Sequence, residues 1–484
     1  MKTENATWGN KLLPRQVLRE EEIASIRQSS LAVLEEVGIL IEHEKALSLL
    51  AEAGAAVNPD SPLAKIPALL VEKALRTVPP EFLVTGQQPS KDFVVGHNSR
   101  PRGRPVISLD WIVDYGEKRR RQVTVKDLEA WVRVADALPN LCMVSGVYPW
   151  DVPLETRDIR VAEAMLKFSD KPILIAPYSG RSVQWIAQML SSLPGQRGPR
   201  VVVFSSCNSP LIYSESQMDA LLAAVEHDLP VMVNSSAVTG ATAPITLAGT
   251  LVMMNAEILA GIVVTQLAKP GAKVIYAGHP VLLDMRTSIA SCGHTEGGLL
   301  AAAMVDLGRS YRFPTASNGL TTDSHICDQQ AAIEKLITGY LAVLSGAALN
   351  GGAGSLAAVG TASLEQLVID DDIYERILRT CEGISIDKDT LAWEVIAAVG
   401  PNHHFLMEPH TLKYLRREFR HSKLATRLNP EAWIQAGGQD TVDVAADRVK
   451  TILKGSPERR LEPQALAELS NIVAEAEQQR SRPQ

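Results

Sequence analysis

Residues 231–277 read VMVNSSAVTGATAPITLAGTLVMMNAEILAGIVVTQLAKPGAKVIYA. A short run, Val231 to Asn234, is followed by a long apolar segment and by a second short run, Lys273 to Ala277. Strand, helix, strand is the repeating unit of a parallel sheet, because parallel neighbours need a crossover and a helix supplies it. The apolar stretch from Pro244 to Leu267 approaches the length that spans a bilayer. It carries Asn255, Glu257 and Gln266 and ends at Lys269-Pro270-Gly271. Polar groups are costly within a membrane, so the stretch reads as a helix buried on two sides of a barrel, and no membrane partner is expected.

The same unit recurs on both sides of this window. Eight strand candidates emerge: Val106 to Leu109, Cys142 to Val147, Ile173 to Ala176, Val201 to Ser205, Val231 to Asn234, Lys273 to Ala277, Phe313 to Ser317 and Ala347 to Asn350. Eight is the number of a closed α/β barrel. The clearest intervening helix carries Leu128, Trp131, Val132, Ala135 and Leu138 on one face, opened by Thr124 with Asp127 three residues on. A doubly wound open sheet gives similar local patterns and is the alternative. The expected fold is α/β, a TIM (β/α)8 barrel over residues 101–360, with an N-terminal helical extension (1–100) and C-terminal helical segments packed on the barrel (361–484). In the extension Ile23, Ile26, Leu31, Leu34 and Val37 share a helical face, and Phe82 to Thr85 and Phe93 to Val95 are strand-like. Leu364 to Thr380, Asp440 to Lys454 and Gln464 to Gln479 are the C-terminal helices.

The 484 residues are 46% hydrophobic and 21% charged, which suits a folded chain with a substantial core and argues against disorder. A net charge of −7 offers no general attraction to nucleic acid. The five cysteines are widely spaced without a CxxC pair, as expected of reduced thiols in a cytoplasm. The opening MKTENATWGNKLLP lacks the charged-then-apolar pattern of a secretory leader. A homo-oligomer is expected on general grounds.

In barrels of this type, residues just after the strands face the catalytic mouth. The strand ends offer, in order, Asp110 and Trp111; Tyr148 and Trp150; Tyr178; Asn208 and Tyr213; Asn234, Ser235 and Ser236; His279, Asp284 and Arg286; Asn318, Asp323 and His325; and Asn350 before Gly351-Gly352-Ala353-Gly354. Aromatic residues are only 5% of the chain, yet several fall here, implying an aromatic, weakly anionic cup. Ring faces attract a cation that cannot donate hydrogen bonds, by about 0.5–2 kcal/mol per ring, so the cup favours a quaternary ammonium. Structural readings stand beside these: Asp110 paired with Arg286, Asp323 as a helix N-cap, and Trp150 or Tyr178 packed beneath a loop. The glycine run fits either a phosphate or the close approach of a large partner or cofactor. A zinc set from Cys292, His294, His279 and Glu296 matches no strong zinc spacing, so no tightly bound metal is expected. His403, His404 and His410 lie outside the strand pattern.

From about Leu18 to Lys454 the sequence resembles the trimethylamine methyltransferase family. The resemblance is carried by LAVLEEVGILIEHEKALSLLAEAGA, RRRQVTVKDLEAWVRVADALPN, TGATAPITLAGTLVMMNAEILAGIVVTQLAKPGAKVIYAG, LLDMRTS, TDSHICDQQAAIEKLITGYLAVLSGA, SLEQLVIDDDI and EPHTLKYLR. It implies a barrel that moves a methyl group from an amine to the cobalt of cobalamin carried by a separate corrinoid protein. The founding enzymes carry pyrrolysine, whereas this chain has only the ordinary twenty residue types and is similar to the members without it. Glycine betaine is then the first expectation for the substrate, with proline betaine, carnitine and trimethylamine as alternatives. Asp110 and Asp323 are the expected catalytic residues; Trp111, Tyr148, Trp150, Tyr178, His279, Arg286, Asn318, His325 and Asn350 the substrate-binding ones; and Gly351, Gly352 and Gly354 face the cofactor. The rivals are a barrel handling a phosphorylated or metal-bound substrate, and a betaine-binding protein without turnover.

Overall fold

The structure, a computed structural model, describes residues 16–58, 60–455 and 461–480. Residues 1–14, read above for a leader, and the tail beyond residue 480 lie outside the described residues. Seven parallel strands hydrogen-bond in chain order: Arg102–Pro105, Ile173–Ile175, Val201–Cys207, Val231–Ser235, Val274–Gly278, Thr315–Asn318 and Leu349–Ala353, the last returning to pair with the first. Residues 141–144 fill the remaining gap. Leu141 bridges Gly103, Val144 bridges Ile173, and Cys142 N–H donates to Gly103 O at 2.8 Å. Eight staves therefore close a barrel, and a helix follows each stave.

Two staves sit off their expected positions. The first ladder is Arg102–Pro105 rather than Val106 to Leu109, because Ser108 adopts φ +63 and breaks regular pairing inside the apolar run. The last extends over Leu349–Ala353 instead of stopping at Asn350. Its glycines continue the strand through a register shift between Asn350 and Ala353.

The barrel interior changes character along its axis. Alternation along the staves turns Leu174, Val202, Met232, Ile275 and Ala316 into an apolar cluster shared with Phe82, Val84, Phe93 and Val95. Those four come from the antiparallel hairpin Glu81–Val84/Phe93–Gly96, which thus seals the N-terminal end of the barrel. The extension is accordingly not purely helical. It also holds Ile39–Ile41, Ala56–Val57 and Leu63–Lys65, tied to the barrel by Ile39–Ile41 pairing with Ile212–Tyr213.

Helix Leu247–Ala268 is apolar all round because it is covered on two sides, by the barrel and by helices Glu20–Ala32 and Ala68–Leu75. Its polar groups are satisfied within the protein. Asn255 Oδ1 accepts from Tyr276 Oη at 2.8 Å, Gln266 Oε1 from Gly271 N at 2.9 Å, and the Glu257 carboxylate from Leu211 N at 2.8 Å and Ser235 Oγ at 2.5 Å. Helix Val125–Ala137 opens on the expected Thr124–Asp127 capping box. Helix Leu364–Glu382 follows the last stave and completes the ring of barrel helices, and Thr441–Gly455 and Pro463–Arg480 pack on that ring.

Candidate active site

At the C-terminal ends of the staves the interior turns polar. Arg104, Asn234, His279 and Asn318 meet there, and Ser206 reaches Asn234 at 2.9 Å. Arg104 is fully buried, with Nη2 3.1 Å from His279 Nε2 and 3.4 Å from Asn318 Oδ1, and Nη1 donating to Pro105 O at 3.3 Å. Its Nε has no hydrogen-bond partner, and no described carboxylate forms a salt bridge with it. Burial lowers the guanidinium pKa to about 10, which leaves it charged at neutral pH. The same burial, then the adjacent Arg104 charge, holds His279 well below the usual histidine range. A guanidinium only donates, so Nε2 of the ring accepts from Arg104, and Nδ1 lies 3.0 Å from the Asn234 amide.

The His279 ring stacks on Phe204, centroids 5.8 Å apart and planes at 9°. Phe204 is also a wall of a cavity of about 340 Å³ lined by Ser108, Asp110, Tyr148, Arg157, Tyr178 and Ser206. That volume lies at the small end of ligand pockets and suits a small amine. Tyr148 and Tyr178 pack 5.9 Å apart, and Tyr148 Oη donates to Ala176 O at 2.9 Å. Burial, reinforced by the Asp158 charge, pushes the Tyr178 phenol up to about 12 and Tyr148 further, so both rings are neutral faces rather than phenolates. Buried Asp158 also accepts from Tyr178 N at 2.7 Å and fixes the third stave's exit loop.

Of the residues expected at the mouth, the cavity brings together Asp110, Tyr148 and Tyr178. Trp111 and Trp150 lie 6.3 Å apart beside it, but their faces are taken by Arg120, at 4.6 Å, and Arg157, at 5.1 Å. Trp150 instead ties the first two exit loops together, its Nε1 donating to Asp110 O at 3.0 Å. His279 and Asn318 belong to the polar layer beneath.

The remaining expected residues are placed elsewhere. Arg286 is exposed and paired with Asp284 at 2.7 Å, in a turn between the small strands Val281–Asp284 and Ile289–Ser291; it does not reach Asp110. Asp323 accepts from Cys292 N at 2.8 Å, Gly293 N at 3.1 Å and Ser291 Oγ, so it pins a loop, and it is not among the residues lining the cavity. It is not a helix cap either; Asp328 caps Gln329–Leu344. His325 is exposed. Asn350 is turned outward and donates to Tyr374 Oη at 3.1 Å.

The glycines serve the chain itself. A methyl group at Gly351 would overlap the Arg104 guanidinium carbon, and one at Gly354 the Trp131 ring. Gly352 has φ +102 and abuts the Gly319 carbonyl. Gly354 N–H is already used, donating to Asp370 Oδ2 at 2.7 Å, and Asp370 is paired with fully buried Lys335 at 2.8 Å. A buried carboxylate thus occupies the place a phosphate would take. The proposed zinc set is dispersed, His279 on Arg104 and His294 beside Glu296 at 3.7 Å, and among the described residues no group of three or more His, Cys, Asp or Glu side chains forms a metal site. His410 Nε2 lies 3.1 Å from Asp389 O, and the residue is half-buried.

Arg104, Arg157, Phe204 and Ser206 were missed by sequence reasoning. Period-two alternation through VVVFSS, once Val202 is taken as inward, places Phe204 and Ser206 on the same face. Arg104 was hidden by the displacement of the first stave.

The sequence profile of the trimethylamine methyltransferase (MTTB) family matches residues 2–481. The trimethylamine methyltransferase MttB of Desulfitobacterium hafniense (strain DSM 10664 / DCB-2) is 32% identical over 469 residues, covering 95% of this chain and 93% of that protein. The glycine betaine methyltransferase of Desulfitobacterium hafniense (strain Y51) is 31% identical over 474 residues, covering 96% and 98%. The crystal structure of the Methanosarcina barkeri monomethylamine methyltransferase (MtmB) superposes with a TM-score of 0.49 at 12% identity, over 89% of this chain and 92% of that one.

Proposed function

Because the chain belongs to the trimethylamine methyltransferase family and is a methyltransferase, we propose that it moves a methyl group from a quaternary amine, glycine betaine first, to cob(I)alamin carried by a corrinoid protein. The observation that carries this reading is the cavity over the stave ends, where Tyr148, Tyr178 and Phe204 surround a space that also holds the Asp110 carboxylate. Neutral rings and one carboxylate bind a permanently charged nitrogen without needing a hydrogen from it.

The methyl acceptor is a substrate delivered from outside. Its reduced cobalt attacks the N-methyl carbon in line, the C–N bond breaks with its electron pair going to nitrogen, and a neutral tertiary amine leaves. No proton moves, and the two phenols that line the cavity stay neutral. Positive charge on nitrogen fades as the bond breaks, so tight ground-state binding of the cation would slow the step. Diffuse ring faces and a single carboxylate are a moderate grip of the appropriate kind. The test is methylation of free cob(I)alamin, followed by its absorbance, with a panel of quaternary amines. Turnover with at least one of them is expected, and none with any amine would overturn the reading.

A further inference from the structure

The cavity contains two opposite charges that do not meet. Asp110 and Arg157 both line it, yet they form no salt bridge with each other or with any other described residue. Arg157 is 8% exposed and its Nε has no hydrogen-bond partner. Opposite charges sharing a small, partly dry space normally close on each other, since attraction rises as water is excluded. Here they do not. The Trp150 ring lies beneath the Arg157 guanidinium, 5.1 Å from its centroid, while the same indole donates through Nε1 to Asp110 O at 3.0 Å. The indole therefore fixes the guanidinium and the backbone that carries Asp110.

The separated pair is the negative image of a zwitterion. We propose that Arg157 is a specificity-determining residue that receives a carboxylate on the substrate, while the ammonium end lies against Asp110 and the rings of Tyr148, Tyr178 and Phe204. This rests on the methyl-transfer reading above and narrows it to quaternary amines that carry their own anion. The planar guanidinium matches a carboxylate through two parallel hydrogen bonds. A ligand of that kind satisfies both charges at once, whereas an amine without an anion leaves Arg157 only its hydrogen bond to Tyr178 and the Trp150 face. Anchoring the far end also fixes which N-methyl group points out of the cavity, and leaves the nitrogen itself held only by diffuse contacts.

Calorimetric titration of the full chain, without corrinoid, tests this with glycine betaine and with choline, which shares the trimethylammonium head but ends in a neutral hydroxyl. Wild type is expected to bind the betaine at least ~10-fold more tightly, the scale of a charge-assisted bidentate contact. Arg157→Met should remove that advantage while choline affinity stays within about threefold, a check that Trp150 and Asp110 remain in place. Arg157→Lys, which keeps the charge without the fork, should fall between them and serves if the methionine variant does not fold. Equal affinities in wild type, or a betaine preference that survives Arg157→Met, would overturn the carboxylate assignment and leave methyl transfer standing. Failure of wild type to bind either compound would overturn both.

Discussion

The Nη2 of Arg104 lies 3.1 Å from Nε2 of His279 across the barrel axis, a buried cation answered only by neutral acceptors. Lys335, another fully buried cation, is by contrast paired with Asp370. Leaving a guanidinium desolvated and without a carboxylate weakens the fold, because neutral acceptors return only part of its lost hydration. Arg104→Met, similar in length and apolar, is therefore expected to leave the urea midpoint unchanged or to raise it. A clear fall in the midpoint would show that the guanidinium's three neutral contacts stabilise the fold.

The Lys335–Asp370 pair is predicted to behave in the opposite way when broken singly. Lys335→Met strands a carboxylate with no exposed side-chain surface and should cost about 3–5 kcal/mol, whereas the double variant Lys335→Met/Asp370→Leu should recover most of that loss. Equilibrium denaturation of the two single variants and the double one gives the coupling. Additive losses would mean that the pair's partners Leu320 O and Gly354 N, not the pair itself, hold the loop.

Two of the residues expected at the mouth should separate in kinetics. Asp110→Asn removes the only carboxylate lining the cavity among the described residues and should raise KM for a quaternary amine by roughly tenfold. Trp111→Ala, whose ring is covered by Arg120 outside the cavity wall, should change KM less than about twofold. Steady-state assays with cob(I)alamin decide, and equal effects would put Trp111 back into the site.

Much of the barrel could be read in the sequence because parallel staves are buried on both faces and appear as short β-branched runs between long helices. Val201–Cys207 and Val231–Ser235 were found almost to the residue. The first stave was not, since Arg102-Gly103-Arg104-Pro105 shows none of those features and is held by neighbours that lie distant in the chain. The site was legible only as a ring of stave ends. Which of those residues face inward depends on tilt and loop path: Tyr148 and Tyr178 turn into the cavity, Asn350 turns toward Tyr374, and Asp323 is consumed by the amides of Cys292 and Gly293. The hairpin beneath the barrel was seen as two strand-like pieces, but nothing local to them reveals what they cover.

Asp306 ties the start of the described chain to the barrel by accepting from Val17 N at 2.7 Å and Leu18 N at 3.0 Å. Burial raises its pKa to about 6, against 3.8 ordinarily. The folded state thus holds a proton that the unfolded chain releases earlier, so this group's contribution is fully present below pH 3.8 and is lost as pH rises through about 6. Asp306→Asn, which stays neutral, should be more stable than wild type at pH 7.5 by on the order of 1–3 kcal/mol, with the gap closing toward pH 4. Urea midpoints across that range check it, and a gap that widens in acid would reverse the sign.

Residues 384–434 place much apolar surface outside the fold. Trp393 is 70% and Met407 81% exposed, and helices Trp393–Val399 and Pro430–Gln435 bury no residue of their own. Leu406, Leu412, Phe419 and Ile434 are exposed as well, so the apolar surface is spread over the whole segment. Tyr414 and Leu424 anchor the segment, and a second copy of the chain, present in equal amount, is the predicted cover for the rest. Light scattering is expected to give at least twice the chain mass, and Met407→Glu to lower it; a monomeric wild type would refute the assignment.

The hairpin Glu81–Val84/Phe93–Gly96 has a kinetic consequence. On the proposed methyl-transfer reading, a vessel corked at its base leaves amine and methyl acceptor the same doorway, so the small molecule is expected to enter first, the bulky protein to follow, and the spent amine to leave after that protein departs. Excess acceptor should therefore inhibit competitively against the amine. A random order of addition in initial-rate kinetics would show a second entrance.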